Sequence, residues 1–320
     1  MPEITVINQE LVKDLFNMDD AIQIVEKAFT EFDQEKSKMF PAIREMVPEH
    51  QGIFGIKSSY LLGENCIGLK AGGFWSENSK KQKMNHQSTM LLFNAETGEP
   101  TCLLDANQIT TIRTAAAGAI AAKYLARKNS KVVGIIGSGT QARAQLEGIL
   151  HLFPIKEVNV WSRNKTSGTT FAQEIIERGI KAHFISSPDE VVSTADIVIT
   201  TSPSFSPVIK TSWVKKGAHI NAIGSDTKGK QEILIDTHLN KVVCDFWEQS
   251  SIMGELQHGF SKDSLYAEIG QITSGAKPGR QYDGETTLFD STGLSVQDVK
   301  SASYIYEKAK MNGLGYTISI

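Results

Sequence analysis

VVGIIGSGTQARAQLEGIL, residues 132–150, decides the fold. Val132, Val133, Ile135 and Ile136 read as a buried strand around Gly134. Gly137 and Gly139 follow, and Ala142 stands in the third place of a G-x-G-x-x-A pattern. Gly137 permits a tight turn, Gly139 lets backbone approach a pyrophosphate, and Ala142 keeps helix and strand close. The helix opening with Thr140 and Gln141 supplies N–H groups and the positive end of its dipole. Alone, the pattern is weak. Here it follows a strand, opens a helix and begins a unit of about 30 residues, the context that a dinucleotide site requires.

Downstream the rhythm stays strand, helix, strand. Segments 157–163, 181–186, 196–202, 218–225 and 241–246 are apolar and β-branched, as buried parallel strands are. Helical patterns at 140–152 and 166–178 separate the early ones. The alternation predicts an α/β fold with a doubly wound Rossmann domain. The second strand ends in Trp161-Ser162-Arg163-Asn164-Lys165-Thr166, without an acid. NAD enzymes place a carboxylate there to hold the ribose 2′-hydroxyl. Arg163 would instead pair with a 2′-phosphate, and Ser162 and Thr166 would donate hydrogen bonds. That predicts NADP(H). If Arg163 is only a solvated loop residue, NAD is accepted as well.

Upstream the pattern differs. A helix is predicted from Asn17, with Asp19 and Asp20 in its first turn and Ala21, Ile24, Val25, Ala28, Phe29 and Phe32 on one face. Segments 42–47, 53–60, 66–71, 88–94 and 101–104 are short and bounded by Gly, Pro or Asn, and ETGEP at 96–100 reads as a hairpin turn. This part is read as α+β with a mostly antiparallel sheet. TTIRTAAAGAIAAKYLARK (110–128) reads as an alanine-rich helix, and TLFDSTG (287–293) leads into a helix at about 295–311.

Cations stand out in the upstream part. IGLKAGGFW (67–75) reads as a strand carrying Lys70. Such a lysine is either outward and solvated or points into a cleft and holds an anion. Arg113 is placed in the first turn of the 110–128 helix, where the dipole disfavours a cation unless an anion meets it. Arg44 and Lys57, each alone, read as surface charges.

Composition narrows the partners. A net charge of −3 and a pI near 6.2 argue against a nucleic-acid binder, which needs a basic footprint, while leaving room for a local cationic pocket. Cys66, Cys102 and Cys244 are scattered and form no metal or redox motif, which suits a reducing compartment. No metal site is expected. No apolar run approaches the roughly 18 residues of a membrane span, and MPEITVINQE lacks an apolar signal region. Cytoplasmic residence is expected, with no membrane partner.

GLKAGG (68–73), TTIRTAAAGAIAAKYLA (110–126), IIGSGTQARAQ (135–145), NAIGSDTKGKQEI (221–233) and LFDSTGLSVQDV (288–299) together resemble the ornithine cyclodeaminase/mu-crystallin family. That family includes archaeal-type alanine dehydrogenases, ketimine reductases and iminosuccinate reductases. The resemblance runs from about residue 5 to 315 and keeps the motifs in family order. It implies a substrate-binding and dimerisation domain from 1–118 and 302–320, a Rossmann domain from 119–301, and a homodimer formed through the first domain's sheet.

By the same resemblance Arg44, Lys70 and Arg113 hold a substrate carboxylate. Asp226 lies near the substrate nitrogen and nicotinamide, although GSDTKGK alone reads as a turn. Catalysis falls to Lys70 and Asp226. Cofactor contacts extend to Thr114, Thr201, Ser202, Gly224 and Gly293. One place departs from the cyclodeaminases: Lys57 stands at or near their glutamate for the distal amine of ornithine, and a lysine favours a second carboxylate. GGFW with Asn85-His86-Gln87-Ser88-Thr89, Ser204-Phe205-Ser206-Pro207 and GELQHG (254–259) are similar to the iminosuccinate reductase branch. His86 reads either as a substrate contact or as a structural histidine. The expected reaction is NAD(P)H-dependent reduction of an α-imino acid to an L-amino acid, iminosuccinate to L-aspartate first. Alternatives are alanine dehydrogenase, pyrroline-2-carboxylate reductase, ornithine cyclodeaminase and a non-catalytic NADPH-binding protein.

Overall fold

The computed structural model describes residues 3–319. The chain forms two units: one runs to Arg113 and resumes at Leu294, and the other is Thr114–Gly293. The boundaries expected at 118/119 and 301/302 lie inside helices, and the units divide earlier, after Arg113 and after Gly293.

The first unit contains β1 (Glu3–Ile7), α1 (Gln9–Leu15), α2 (Met18–Asp33), β2 (Ser37–Met39), β3 (Ile43–Val47), β4 (Gly52–Leu61), β5 (Cys66–Trp75), β6 (His86–Asn94) and β7 (Pro100–Asp105). Helix α3 (Asn107–Leu125) starts in this unit and ends in the second. Asn17 caps α2 as its sequence predicts, accepting from the Asp20 N–H at 2.9 Å. Helix α1 has no counterpart in the sequence reading. It is short, buries only Val12 and Leu15, and rests on an Asn8 cap, too little for a periodic signal. Helix α3 begins at Asn107, before the expected start at 110. Arg113 therefore sits beyond the first turn, and the dipole argument for it does not apply.

The second unit contains β8 (Val132–Ile136), α4 (Thr140–Leu152), β9 (Glu157–Trp161), α5 (Lys165–Glu177), β10 (Lys181–Phe184), α6 (Pro188–Thr194), β11 (Ile197–Thr200), β12 (Phe205–Lys210), β13 (His219–Ala222), β14 (Gln231–Leu234), β15 (Lys241–Cys244), α7 (Trp247–Met253), β16 (Ala267–Glu268), α8 (Ile269–Thr273) and β17 (Thr287–Asp290). The chain then returns to the first unit with α9 (Ser295–Met311) and β18 (Tyr316–Ser319).

The sheet of the second unit is parallel, in the order β10-β9-β8-β11-β13-β17-β15-β16. Strand order reverses between β8 and β11, the switch point where doubly wound sheets bind ligands beyond the strand ends. Apolar cores lie on both faces. Ile135, Val158 and Ile199 pack with Ala142, Leu146 and Phe171, and Ile136, Val198, Ile220 and Leu288 form the other. Strand β17, read only as a lead into α9, is fully buried in the middle of this sheet. Strands β12 and β14 pair outside it.

The first unit's sheet has the order β18-β1-β7-β6-β5-β4-β2, with β3 also on β4. Its pairs are antiparallel except β1 with β7. Residues opposite each other share a face, so Lys57, Lys70, Met90 and Leu104 point one way. Helix α9 covers that face. A Cβ on Gly68 would lie 2.7 Å from a Val299 methyl, so the glycine of GLKAGG admits the helix. The opposite face carries Ile56, Leu69, Leu91 and Leu103, with Ile43, Phe54, Tyr316 and Ile318 exposed.

Candidate active site

The glycine turn behaves as its residue types demand. Gly137 has φ +127°, and a Cβ there would lie 2.4 Å from Thr201 Oγ1. Both facts require glycine. Gly139 is the N-cap of α4 and gives it no side-chain cap. A Cβ there would meet nothing within 4 Å. The start of α4, with Thr140 and Gln141, therefore faces open space with N–H groups uncapped by a side chain. Ala142 is fully buried. Buried Gln141 Oε1 and Ser202 Oγ lack hydrogen-bond partners. The uncapped N–H groups of α4 and the Ser202 hydroxyl can donate to an anionic dinucleotide, whereas Gln141 Oε1, a carbonyl oxygen, can only accept.

Around the turn, Ser162 Oγ accepts from Ser138 Oγ at 2.9 Å. Arg163 and Thr166 are exposed. Thr201 Oγ1 donates to the Ile136 carbonyl at 3.3 Å. The Thr114 carbonyl accepts from Gln145 Nε2 at 2.8 Å. Gly293 has φ +78°, and its N–H donates to Asp245 at 2.6 Å.

Glu232, absent from the sequence-based list of site residues, organises this region. Its Oε2 accepts from Thr200 Oγ1 at 2.8 Å and from the Gly224 N–H at 2.7 Å. Its Oε1 accepts from the Ser202 N–H. One carboxylate thus ties the chain after β11 to the chain after β13. Burial pushes it up to about 7, against these donors.

Asp226 is 48% exposed and pairs with Lys230 at 2.6 Å. GELQHG supports its loop: Gln257 Oε1 accepts from the Gly229 N–H at 2.7 Å, and His258 Nε2 lies 2.7 Å from the Lys230 carbonyl.

In the first unit, three of the predicted cations gather, with His86 beside them. Lys57 on β4 stands directly opposite Lys70 on β5. Lys70 Nζ lies 2.7 Å from Asp298 Oδ2 and donates to Thr110 Oγ1 at 3.2 Å. Arg113, 5% exposed, donates from Nε to Asp298 Oδ1 at 2.8 Å and from Nη1 to Gln297 Oε1 at 3.0 Å. His86 on β6 joins them; its imidazole is held below its usual value, first by burial and then by the Lys70 charge. Arg44 lies on the same sheet face, opposite Gly55, but is exposed at the β3 edge.

Within this cluster Asp298 is the residue that sequence reasoning missed. It falls in the quoted LSVQDV motif, and with Ala302, Ile305 and Ala309 it forms a helical stripe whose other members are fully buried. An acid in such a stripe signals a buried ion pair. Burial would raise its carboxyl; Arg113 and Lys70 outweigh that and hold it below the ordinary range. Lys70 moves the other way: burial takes its ammonium down to about 7, although Asp298 pulls it up.

Among the described residues no His, Cys, Asp and Glu cluster could hold a metal, and no helix is long and apolar enough to cross a membrane.

The sequence pattern of the ornithine cyclodeaminase/mu-crystallin family matches residues 3–313. The alanine dehydrogenase of Archaeoglobus fulgidus is 39% identical, covering 99% of this chain and 98% of its own. An archaeal alanine dehydrogenase dimer with bound NAD superposes with a TM-score of 0.93 at 38% identity, covering 99% of each chain. The iminosuccinate reductase of Paracoccus denitrificans in complex with NAD+ gives 0.92 at 32% identity, covering 99% of this chain and 100% of that one. Fold and relatives together define an oxidoreductase acting on carbon–nitrogen bonds. The chain belongs to the ornithine cyclodeaminase/mu-crystallin family.

Proposed function

We propose that the protein reduces an α-imino acid to an L-amino acid with a hydride from a nicotinamide dinucleotide, and that its substrate is iminosuccinate, giving L-aspartate. The supporting observation is the placement of Lys57 directly across from Lys70, with Arg113 and His86 nearby and Asp298 as the acid among them. Cations in this excess suit a dianion better than a monoanion. Lys70 and Arg113, with Arg44, take the α-carboxylate; Lys57 and His86 take the second.

A nicotinamide dinucleotide held at the glycine turn of Gly137 and Gly139 would supply the hydride. Fixing the carboxylates orients the imine carbon, which is where alignment contributes most. Asp226 stabilises the iminium and handles the proton on nitrogen. Gly137, Gly139, Thr140, Gln141, Ala142, Thr114, Thr201, Ser202, Gly224 and Gly293 hold the dinucleotide. The end of β9 offers Ser162, Arg163 and Thr166 and no carboxylate, which favours NADPH, with NADH used as well.

A homodimer forms over the sheet face that exposes Ile43, Phe54, Tyr316 and Ile318, an apolar surface that water does not favour. The enzyme works in the cytoplasm.

The test is NADPH and NADH oxidation with oxaloacetate plus ammonium, pyruvate plus ammonium, and cyclic imines. Fastest turnover with oxaloacetate, yielding L-aspartate, is expected. The 39% identity to an alanine dehydrogenase favours pyruvate as the second reading, and preference for pyruvate would replace the first.

A further inference from the structure

Asp298 stands where a carboxylate-binding site has least use for an acid. It is 1% exposed by its side chain and bonds two of the cations that would receive substrate. A purely electrostatic design would leave it out, since a buried negative charge competes with the ligand. The geometry suggests why it is kept. Oδ2 takes Lys70 and Oδ1 takes the Nε edge of Arg113, so one rigid group spaces both cations. Gln297, one residue away, takes Nη1 of the same guanidinium and also accepts from the Leu294 N–H at 3.2 Å. The start of α9 therefore fixes both the position and the plane of Arg113. Lys70 donates to Thr110 Oγ1 and forms an ion pair with Asp298 Oδ2; an ammonium has three protons, so a ligand carboxylate can share it.

We propose that Asp298 is a positioning residue that locks Lys70 and Arg113 into a single fork for the substrate carboxylate. This rests on reading the cluster as the carboxylate site. The same contact favours the charged form of the lysine against its burial. Around Lys70 the titratable and charged groups are Lys57 from β4, His86 from β6, Arg113 from α3 and Asp298 from α9. Three can carry positive charge, and only Asp298 opposes them. With it, Lys70 loses its proton near pH 7; without it, burial and the like charges act unopposed and the proton leaves at lower pH. Acid binding should therefore weaken as pH rises through about 7, and earlier once Asp298 is neutral.

The experiment is calorimetric titration of the full-length protein with succinate, an unreactive dicarboxylate, across a pH range that reaches about two units below and above the Lys70 value of about 7. Asp298→Asn keeps the shape and removes the charge. Its binding midpoint should move to acid by about one pH unit, so that affinity at pH 8 falls about tenfold relative to wild type. Lys70→Arg cannot titrate in this range; it should flatten the profile, and adding Asp298→Asn to it should produce no shift. Gln297→Glu gives an independent sign. Gln297 Nε2 is buried without a partner, so no donor is lost, and the added carboxylate should move the midpoint to alkaline. It decides the matter if Asp298→Asn does not fold. Equal midpoints in wild type and variants, or a shift that persists with Lys70→Arg, would overturn the proposal while leaving the carboxylate site intact. A wild type that binds no succinate and reduces no imino acid would overturn the site reading and this inference together.

Discussion

The glycine turn and the cation cluster are built in opposite ways. The turn occupies residues 137–142, and its demands are local: a positive φ at Gly137, open space at Gly139, a buried methyl at Ala142. The cluster draws on β4, β5, β6, α3 and α9, with Lys57 and Asp298 at its extremes in sequence. Backbone makes the first site, so a short stretch of sequence reveals it. Charge balance makes the second, and its counter-ion arrives from the far end of the chain. A substitution in the turn should act through local fit. One in the cluster should act through charge and be visible in the identity of the acid and in pH.

The largest effect is expected at Lys70. Lys70→Ala removes the proposed substrate contact and leaves Asp298 buried with one partner fewer. Losing one member of such a pair costs about 2–5 kcal/mol, so kcat/KM should fall by roughly 10²–10³-fold. NADH affinity, measured by fluorescence titration, should stay at the wild-type value. A parallel loss of NADH binding would mean that the two sites are not separable as described.

Next come two glycines within the turn. Gly137→Ala meets both a positive φ and Thr201 Oγ1 at 2.4 Å. Strain of this kind costs about 1–3 kcal/mol, so the melting temperature should drop by several degrees, roughly as expected for a domain of this size. Gly139→Ala meets no protein atom within 4 Å. It should leave melting unchanged and weaken dinucleotide binding about tenfold, because on the proposed reading the new methyl would stand where the backbone approaches the pyrophosphate. If the two variants behaved alike, the distinction between folding and ligand demands would fail.

Lys57→Ala should lower kcat/KM for oxaloacetate with ammonium by about tenfold and leave pyruvate with ammonium within twofold, as expected for loss of one charged contact. The smallest effect belongs to Arg163, which is exposed. Arg163→Ala should raise the NADPH KM by about threefold and not the NADH KM, since exposed ion pairs are worth under about 1 kcal/mol. An unchanged NADPH KM would remove Arg163 from the cofactor reading.

Much of the architecture is written locally. Helix α4 spans 140–152 and α9 spans 295–311, where glycine patterning and apolar spacing place them. Elements whose stability comes from burial rather than pattern escape such reading. Strand β17, Thr287–Asp290, is four residues, all interior, and so short a stretch with polar residues at both ends carries no period. Arg113 illustrates the same limit at the site. Its residue type points to an anion, but the partner visible in the fold is Asp298, 185 residues away. Glu232 lay in a quoted motif, yet its role as the acceptor for Thr200, Ser202 and Gly224 appears only when β11, β13 and β14 come together. Lys57 stands directly opposite Lys70, a register that only the pairing of β4 with β5 reveals.

The central claim is that two facing lysines, an arginine and a histidine select a dicarboxylate. The direct measurement is the ratio of kcat/KM for oxaloacetate over pyruvate, each with ammonium and NADPH, in the wild type and in Lys57→Ala. A ratio well above one in the wild type, falling about tenfold in the variant with L-aspartate as the product, is the expected result. A ratio below one that Lys57→Ala leaves unchanged would contradict it.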